Sequence, residues 1–153
     1  MSLFKFSTFL ALVILDFFSW TASESKGQSQ LTLVEISKIK FSKSTINLNR
    51  LKTIDKNTAE AVSKFKGRGL SLGGISDLSL ECAKVLADCE VEWLILNGLQ
   101  NPTPEIGKEI AKFKAKNIDL SGIKKINKLF AKELLNYTGN SLNLNGLLDI
   151  GRE

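Results

Sequence analysis

Read for hydrophobic and polar positions, the chain from residue 45 onward repeats itself every 24 residues without gaps. Repeats decide an architecture before any local reading does. The segments are TINLNRLKTIDKNTAEAVSKFKGR (45–68, coil 1), GLSLGGISDLSLECAKVLADCEVE (69–92, coil 2), WLILNGLQNPTPEIGKEIAKFKAK (93–116, coil 3) and NIDLSGIKKINKLFAKELLNYTGN (117–140, coil 4). A fifth begins at Ser141 as SLNLNGLLDIGRE. Ile46, Leu70, Leu94, Ile118 and Leu142 form one apolar column; Leu48, Leu72, Leu96, Leu120 and Leu144 form another. The two columns are two residues apart, so both face one side of an extended strand. Arg50, Gly74, Gly98, Gly122 and Gly146 follow, a column suited to a turn or to close approach between coils. Leu51, Ile75, Leu99, Ile123 and Leu147 return to the core, as do Ile54, Leu78, Ile126 and Ile150, with Pro102 interrupting that last column.

The next column, Asp55, Ser79, Thr103 and Asn127, consists of good helix N-caps. Pro104 stands at the following N1 position, where its missing N–H costs nothing. A helix of about ten residues is predicted there in each coil, since its inward positions recur at helical spacing. They are Ala59, Ala83, Gly107 and Ala131, then Val62, Leu86, Ile110 and Leu134, then Phe65, Cys89, Phe113 and Tyr137. Gly67 and Gly139 fall where a left-handed helix C-terminus is expected. Each repeat therefore reads as strand, turn, short helix, turn. No single repeat can bury its own apolar face, and stacking supplies the core. The expected fold class is α/β: a short leucine-rich-repeat-like solenoid with one parallel strand and one short helix per 24-residue repeat.

This pattern, LxLxGLxxLxxxxAxxLxxFxG over residues 46–150, resembles leucine-rich repeats. It is most similar to the short variant found in exported proteins of environmental bacteria. It departs from the commoner form LxxLxLxxNxL, because Leu51, Ile75, Leu99, Ile123 and Leu147 occupy the asparagine position. The asparagine ladder is therefore expected to be absent. The resemblance implies a strand-lined binding face and protein partners, and names no ligand.

Three segments divide the 153 residues: 1–23, a signal peptide or N-terminal anchor; 24–44, a lead-in and N-terminal cap; and 45–153, the repeat domain. Lys5 followed by the apolar run Phe6 to Trp20 gives the leader pattern, with small and polar residues after it. Cleavage after Ala22 places Trp20 at the −3 position, whereas cleavage after Thr21 or Ser23 places Ser19 or Thr21 there. The run is short for a membrane span of about 20 residues. Asp16 within it is a blemish on either reading. Cleavage gives a secreted or cell-envelope protein, and retention gives an N-terminally membrane-anchored one. In 24–44, the apolar Leu31, Leu33, Ile36, Ile39 and Phe41 suit a cap over the first coil.

Composition adds limits. With 43% hydrophobic and 24% charged residues the chain can bury a core. A net charge of +5 permits acidic partners without requiring them. The lysines are interspersed with acids, as on a solvated surface, and lack the basic stripe with stacking aromatics that nucleic acid wants. There is no histidine, no CxxC, no GxSxG and no phosphate loop, so neither catalysis nor a metal or cofactor is expected. Cys82 and Cys89, seven apart on a helix, lie about 10.5 Å from each other, beyond the roughly 7 Å limit of a disulfide. They are expected to be buried thiols. Asn136-Tyr137-Thr138 matches the glycosylation triplet, which matters only in a eukaryotic secretory route.

The strand residues pointing away from the core are mostly small and uncharged. Trp93, Ile95, Asn97, Asn117 and Asp119 form the candidate binding surface. An exposed tryptophan beside an isoleucine suits an interface anchor; the competing reading is a tryptophan packed against its own coil. Asp119 is the one acid on this face and would need a deep pocket to act as a catalyst. Two functions follow: a protein-binding module, or a structural, self-associating unit pairing end to end, the latter prompted by a fifth coil with no helix.

Overall fold

A computed structural model describes residues 31, 35, 38, 39 and 42–151. The predicted leader and most of the predicted lead-in, including Leu33, Ile36 and Phe41, lie outside the described residues. Leu31 and Ile39 belong to the same buried cluster as the repeat columns.

Strands β1 (Thr45–Asn47), β2 (Gly69–Ser71), β3 (Trp93–Ile95), β4 (Asn117–Asp119) and β6 (Ser141–Asn143) form one five-stranded parallel sheet in that order. Pairing is in register with the repeat: Thr45 opposes Gly69, which opposes Trp93, and so on. A slip by one residue would turn every strand leucine to the wrong face. The ladder runs one residue past each strand, for example Leu96 N donating to Asp119 O at 2.8 Å. The chain then folds back through the same tight turn in all five coils, Leu51 N to Leu48 O at 3.0 Å through Leu147 N to Leu144 O at 2.9 Å.

The glycine column sits in these turns. A Cβ at Gly122 would overlap the backbone carbonyl of Asn97 in the coil before, and Gly74, Gly98 and Gly146 meet the same obstacle. The glycines are needed for space, as the close approach between coils predicts. Arg50 stands in this column in coil 1 and ion-pairs with Glu35.

Helices α1 (Lys56–Ser63), α2 (Leu80–Leu86), α3 (Pro104–Ile110) and α4 (Lys128–Leu134) follow the predicted caps. Asp55, Ser79, Thr103 and Asn127 each accept a bond from the backbone N–H three residues on. The helices have seven or eight residues, shorter than expected. After each one the chain tightens into a three-residue turn, Phe65 N to Val62 O and Tyr137 N to Leu134 O, both at 3.0 Å. The third inward column thus lies beyond the helix yet still points inward: Phe65 and Cys89 are fully buried and Phe113 nearly so. A further inward column, Thr58, Cys82, Ile106 and Phe130, is also buried.

One expectation is corrected here. Gly67 and Gly139 have no left-handed backbone. Instead a Cβ at Gly67 would overlap the Phe65 ring, and one at Gly139 the Tyr137 ring. Each glycine makes room for the aromatic two residues before it; Val91 and Ala115, in the same column, are buried. The fold also holds a small parallel sheet, β5 (Lys125–Asn127) with β7 (Asp149–Gly151), pairing coils 4 and 5 at the column that Pro102 occupies in coil 3.

The buried columns give one continuous cluster between the large sheet and the helix row. The architecture is α/β, with parallel strands and helices spaced at the repeat, a solenoid-like arrangement. No helix among the described residues is long and apolar enough to cross a membrane. Cys82 and Cys89 are free and buried. Burial pushes the Cys89 thiol up to about 11, so it stays protonated and unreactive at neutral pH.

Candidate binding surface

The outer face of the large sheet is built by the strand positions that alternate with the buried leucines. Trp93 is 48% exposed. It heads β3, between Gly69 of β2 and Asn117 of β4 in the pairing. Ile95 is half-buried, paired between Ser71 and Asp119. Asn97 is exposed, with its Oδ1 over Gly73. Trp93, Ile95, Asn97 and Asp119 therefore share one accessible face.

Asn117 does not share it in the expected way. It is 8% exposed. Its Nδ2 donates to the Glu92 carbonyl at 2.9 Å, and its Oδ1 accepts from Ser141 Oγ at 2.8 Å. A buried amide with both ends satisfied is a structural tie between coils. Ser71 is likewise buried, its Oγ donating to Asn49 Oδ1 at 2.7 Å.

These bonds correct the expectation of no polar ladder. The apolar column at Leu51 does exclude one from the interior. A discontinuous one runs instead along the outer face. Asn47, Asp119 and Asn143 each accept from the backbone N–H two residues on, at 2.9 to 3.0 Å. In coil 2, where serine replaces asparagine, Asn49 of the preceding coil takes the Gly73 N–H at 2.7 Å. Asp119 Oδ1 also accepts from Asn143 Nδ2 at 3.1 Å. Ile95 interrupts the series, which leaves coil 3 with the apolar patch. The signal was present in the sequence as a column of Asn, Ser, Ile, Asp and Asn at 47, 71, 95, 119 and 143.

At the strand entrances the surface changes character. Lys66 pairs with Glu90 at 2.7 Å, Arg68 with Glu92 at 3.1 Å, and Lys114 with Asp88 at 2.7 Å, each across one coil boundary. Hydrogen bonds from Lys114 and Lys66 hold the carboxyls of Asp88 and Glu90 below their ordinary range, and the Asp88 bond raises Lys114. Among the described residues no group of three or more Cys, Asp or Glu could hold a metal. Asp119 lines neither of two surface depressions, one bounded by Pro102, Lys125 and Asp149, the other by Lys43, Arg68 and Lys116.

No family model, curated protein or solved structure matches this chain. Its periodic α/β architecture with parallel strands is that of a repeat protein.

Proposed function

We propose that this chain is an exported module of the leucine-rich-repeat type that binds a protein or another cell-surface component and has no catalytic activity. One observation carries the binding reading. Trp93 lies half-exposed beside Ile95 on a sheet face otherwise made of small and amide side chains and Asp119. Aromatic anchors of that kind dominate protein interfaces, and the face rests on a sheet whose register is fixed by the core. The leucine-rich-repeat reading is supported by paired strand leucines, the glycine turn and side-chain bonds that cap the turn N–H groups. Export is supported by the leader pattern of residues 1–23: the cleaved protein would be in the medium or the envelope, and the uncleaved one anchored at its N-terminus.

The test is a double substitution, Trp93→Ser with Ile95→Ser. Capture of partners from the source organism's envelope or medium should fall while the circular dichroism spectrum stays the same. Unchanged capture refutes the patch.

A structural or self-associating unit is the second reading. It is favoured by the flank of the fifth coil, where Leu148 is 82% and Ile150 49% exposed. That flank also offers β6 and β7 as strand edges, a template for pairing. Light scattering on the chain separates the two, and a strict monomer sinks this one.

A further inference from the structure

The alignment that stacks leucines also stacks charges. The turn entering each strand carries Lys64, Lys66 and Arg68 in coil 1, Asp88, Glu90 and Glu92 in coil 2, and Lys112, Lys114 and Lys116 in coil 3. Coil 4 has the neutral Asn136, Thr138 and Asn140 at these places. A row of acids is thus held between two rows of bases, about 5 Å from each at parallel-strand spacing. All three acids are spent on Lys114, Lys66 and Arg68. Lys116, and Lys43 just before β1, are exposed and form no ion pair among the described residues.

An open depression of about 510 Å³ lies on this band. Among the described residues, Lys43, Lys66, Arg68, Lys114 and Lys116 line it against Glu90 and Glu92, for a net charge of +3. Arg68, Glu92 and Lys116 each immediately precede a strand, so Trp93 begins where this wall ends.

We propose that the depression and Trp93 together receive an acidic segment of a protein partner. Its carboxylates meet Lys43 and Lys116, and a neighbouring apolar side chain packs on Trp93. The inference rests on the protein-binding reading above and adds the chemistry of the partner. Charge complementarity selects acidic groups. The acid row selects a protein over a uniform polyanion: a nucleic acid or sulfated glycan carries charge at every step and would have to lie against Glu90 and Glu92. A polypeptide can place acids on the flanking rows and a neutral or basic residue between.

The probes are a fluorescent Glu-rich peptide with a central leucine, its Lys-rich counterpart, and heparin. Against the full chain, the Glu-rich peptide should bind, the Lys-rich one should not, and heparin should bind more weakly than the Glu-rich peptide. Affinity should drop as the Debye length shrinks from about 30 Å to about 8 Å between roughly 0.01 M and 0.15 M salt. Lys43→Glu with Lys116→Glu should weaken binding by about tenfold or more. Thermal unfolding should be unaltered, because neither lysine is in an ion pair among the described residues. No binding of the Glu-rich peptide, undiminished affinity in the double variant, or heparin binding as tight as the peptide would each overturn the proposal. Natural-partner capture that survives the charge reversals but is lost in Trp93→Ser defeats this inference alone. Capture lost in neither defeats the protein-binding patch as well.

Discussion

Coil 1 and coil 5 carry equivalent apolar columns in very different surroundings. Ile46, Leu48 and Leu51 are at most 3% exposed. Leu142, Leu144 and Leu147 are only partly buried, and Leu148 and Ile150 stand out beside them. The turn geometry is the same in both, Leu51 N to Leu48 O and Leu147 N to Leu144 O. What differs is the neighbour: coil 1 shares its buried cluster with coil 2 and with Leu31 and Ile39. In a stacked repeat, burial belongs to the pair of coils in contact and not to the side chain, so identical residues contribute unequally.

The sharpest break of this comparison is a pair of truncations. Leu48→Ala should cost about 3 to 4 kcal/mol, through lost transfer energy and a cavity that the sheet cannot close. Leu144, at the equivalent position of coil 5, is only partly buried, and Leu144→Ala should cost less, about 1 to 2 kcal/mol. Urea denaturation of the two variants decides it. Equal losses would show that the fifth coil is covered in solution, as the self-associating reading requires.

The turn column offers a smaller contrast. Gly74→Ala forces a methyl into the carbonyls of Asn49 and Leu51, and overpacking of that kind costs about 1 to 3 kcal/mol. Arg50, in the same column of coil 1, bonds Glu35; that bond raises the guanidinium pKa. The Arg50 side chain is 41% exposed and that of Glu35 12%, so Arg50→Ala should cost about 1 kcal/mol, at the upper end for a surface pair because it takes this partner from the Glu35 carboxylate. A larger loss for Arg50 than for Gly74 would make the ion pair to Glu35, not the backbone packing, the tighter constraint on the turns.

Much of this was legible in the sequence. Burial leaves a periodic trace, and the strand leucines, the four N-caps and the glycine column all fall where the 24-residue period puts them. What escaped was of two kinds. The first is length and conformation. A helix and the tighter turn that ends it both point every third residue inward, so Phe65 looked helical. A glycine needed for space beside a ring has the same letter as one needed for left-handed backbone, as at Gly67. The second is polar pairing across coils. Asn117 and Glu90 find partners one full repeat away, and in the linear chain each is indistinguishable from a solvated residue. Trp93 and Asn97 were readable as exposed; Asn117 was not, because its burial depends on Ser141 and the Glu92 carbonyl.

The smallest expected effect divides the molecule along the charged band. Asp88 and Glu90 have depressed carboxyl pKa values in the fold, owing first to hydrogen bonds from Lys114 and Lys66. The unfolded chain then binds protons more readily than the folded one. The stability these pairs supply is present above their ordinary values of 3.8 and 4.5, and it is lost as pH falls through the lower folded values. Both acids are surface groups, so the loss is slight and screened by salt. It should be local. Coils 1 to 3 hold the alternating rows, whereas the equivalent places in coil 4 are uncharged. Amide exchange measured through this acid range should show protection falling first at the entrances of β2, β3 and β4, with the entrance of β6 unchanged. Glu90→Gln should flatten part of that dependence. Uniform loss across all coils would mean that the rows do not hold the strand entrances together, and the coils would then differ only in the apolar neighbours each one has.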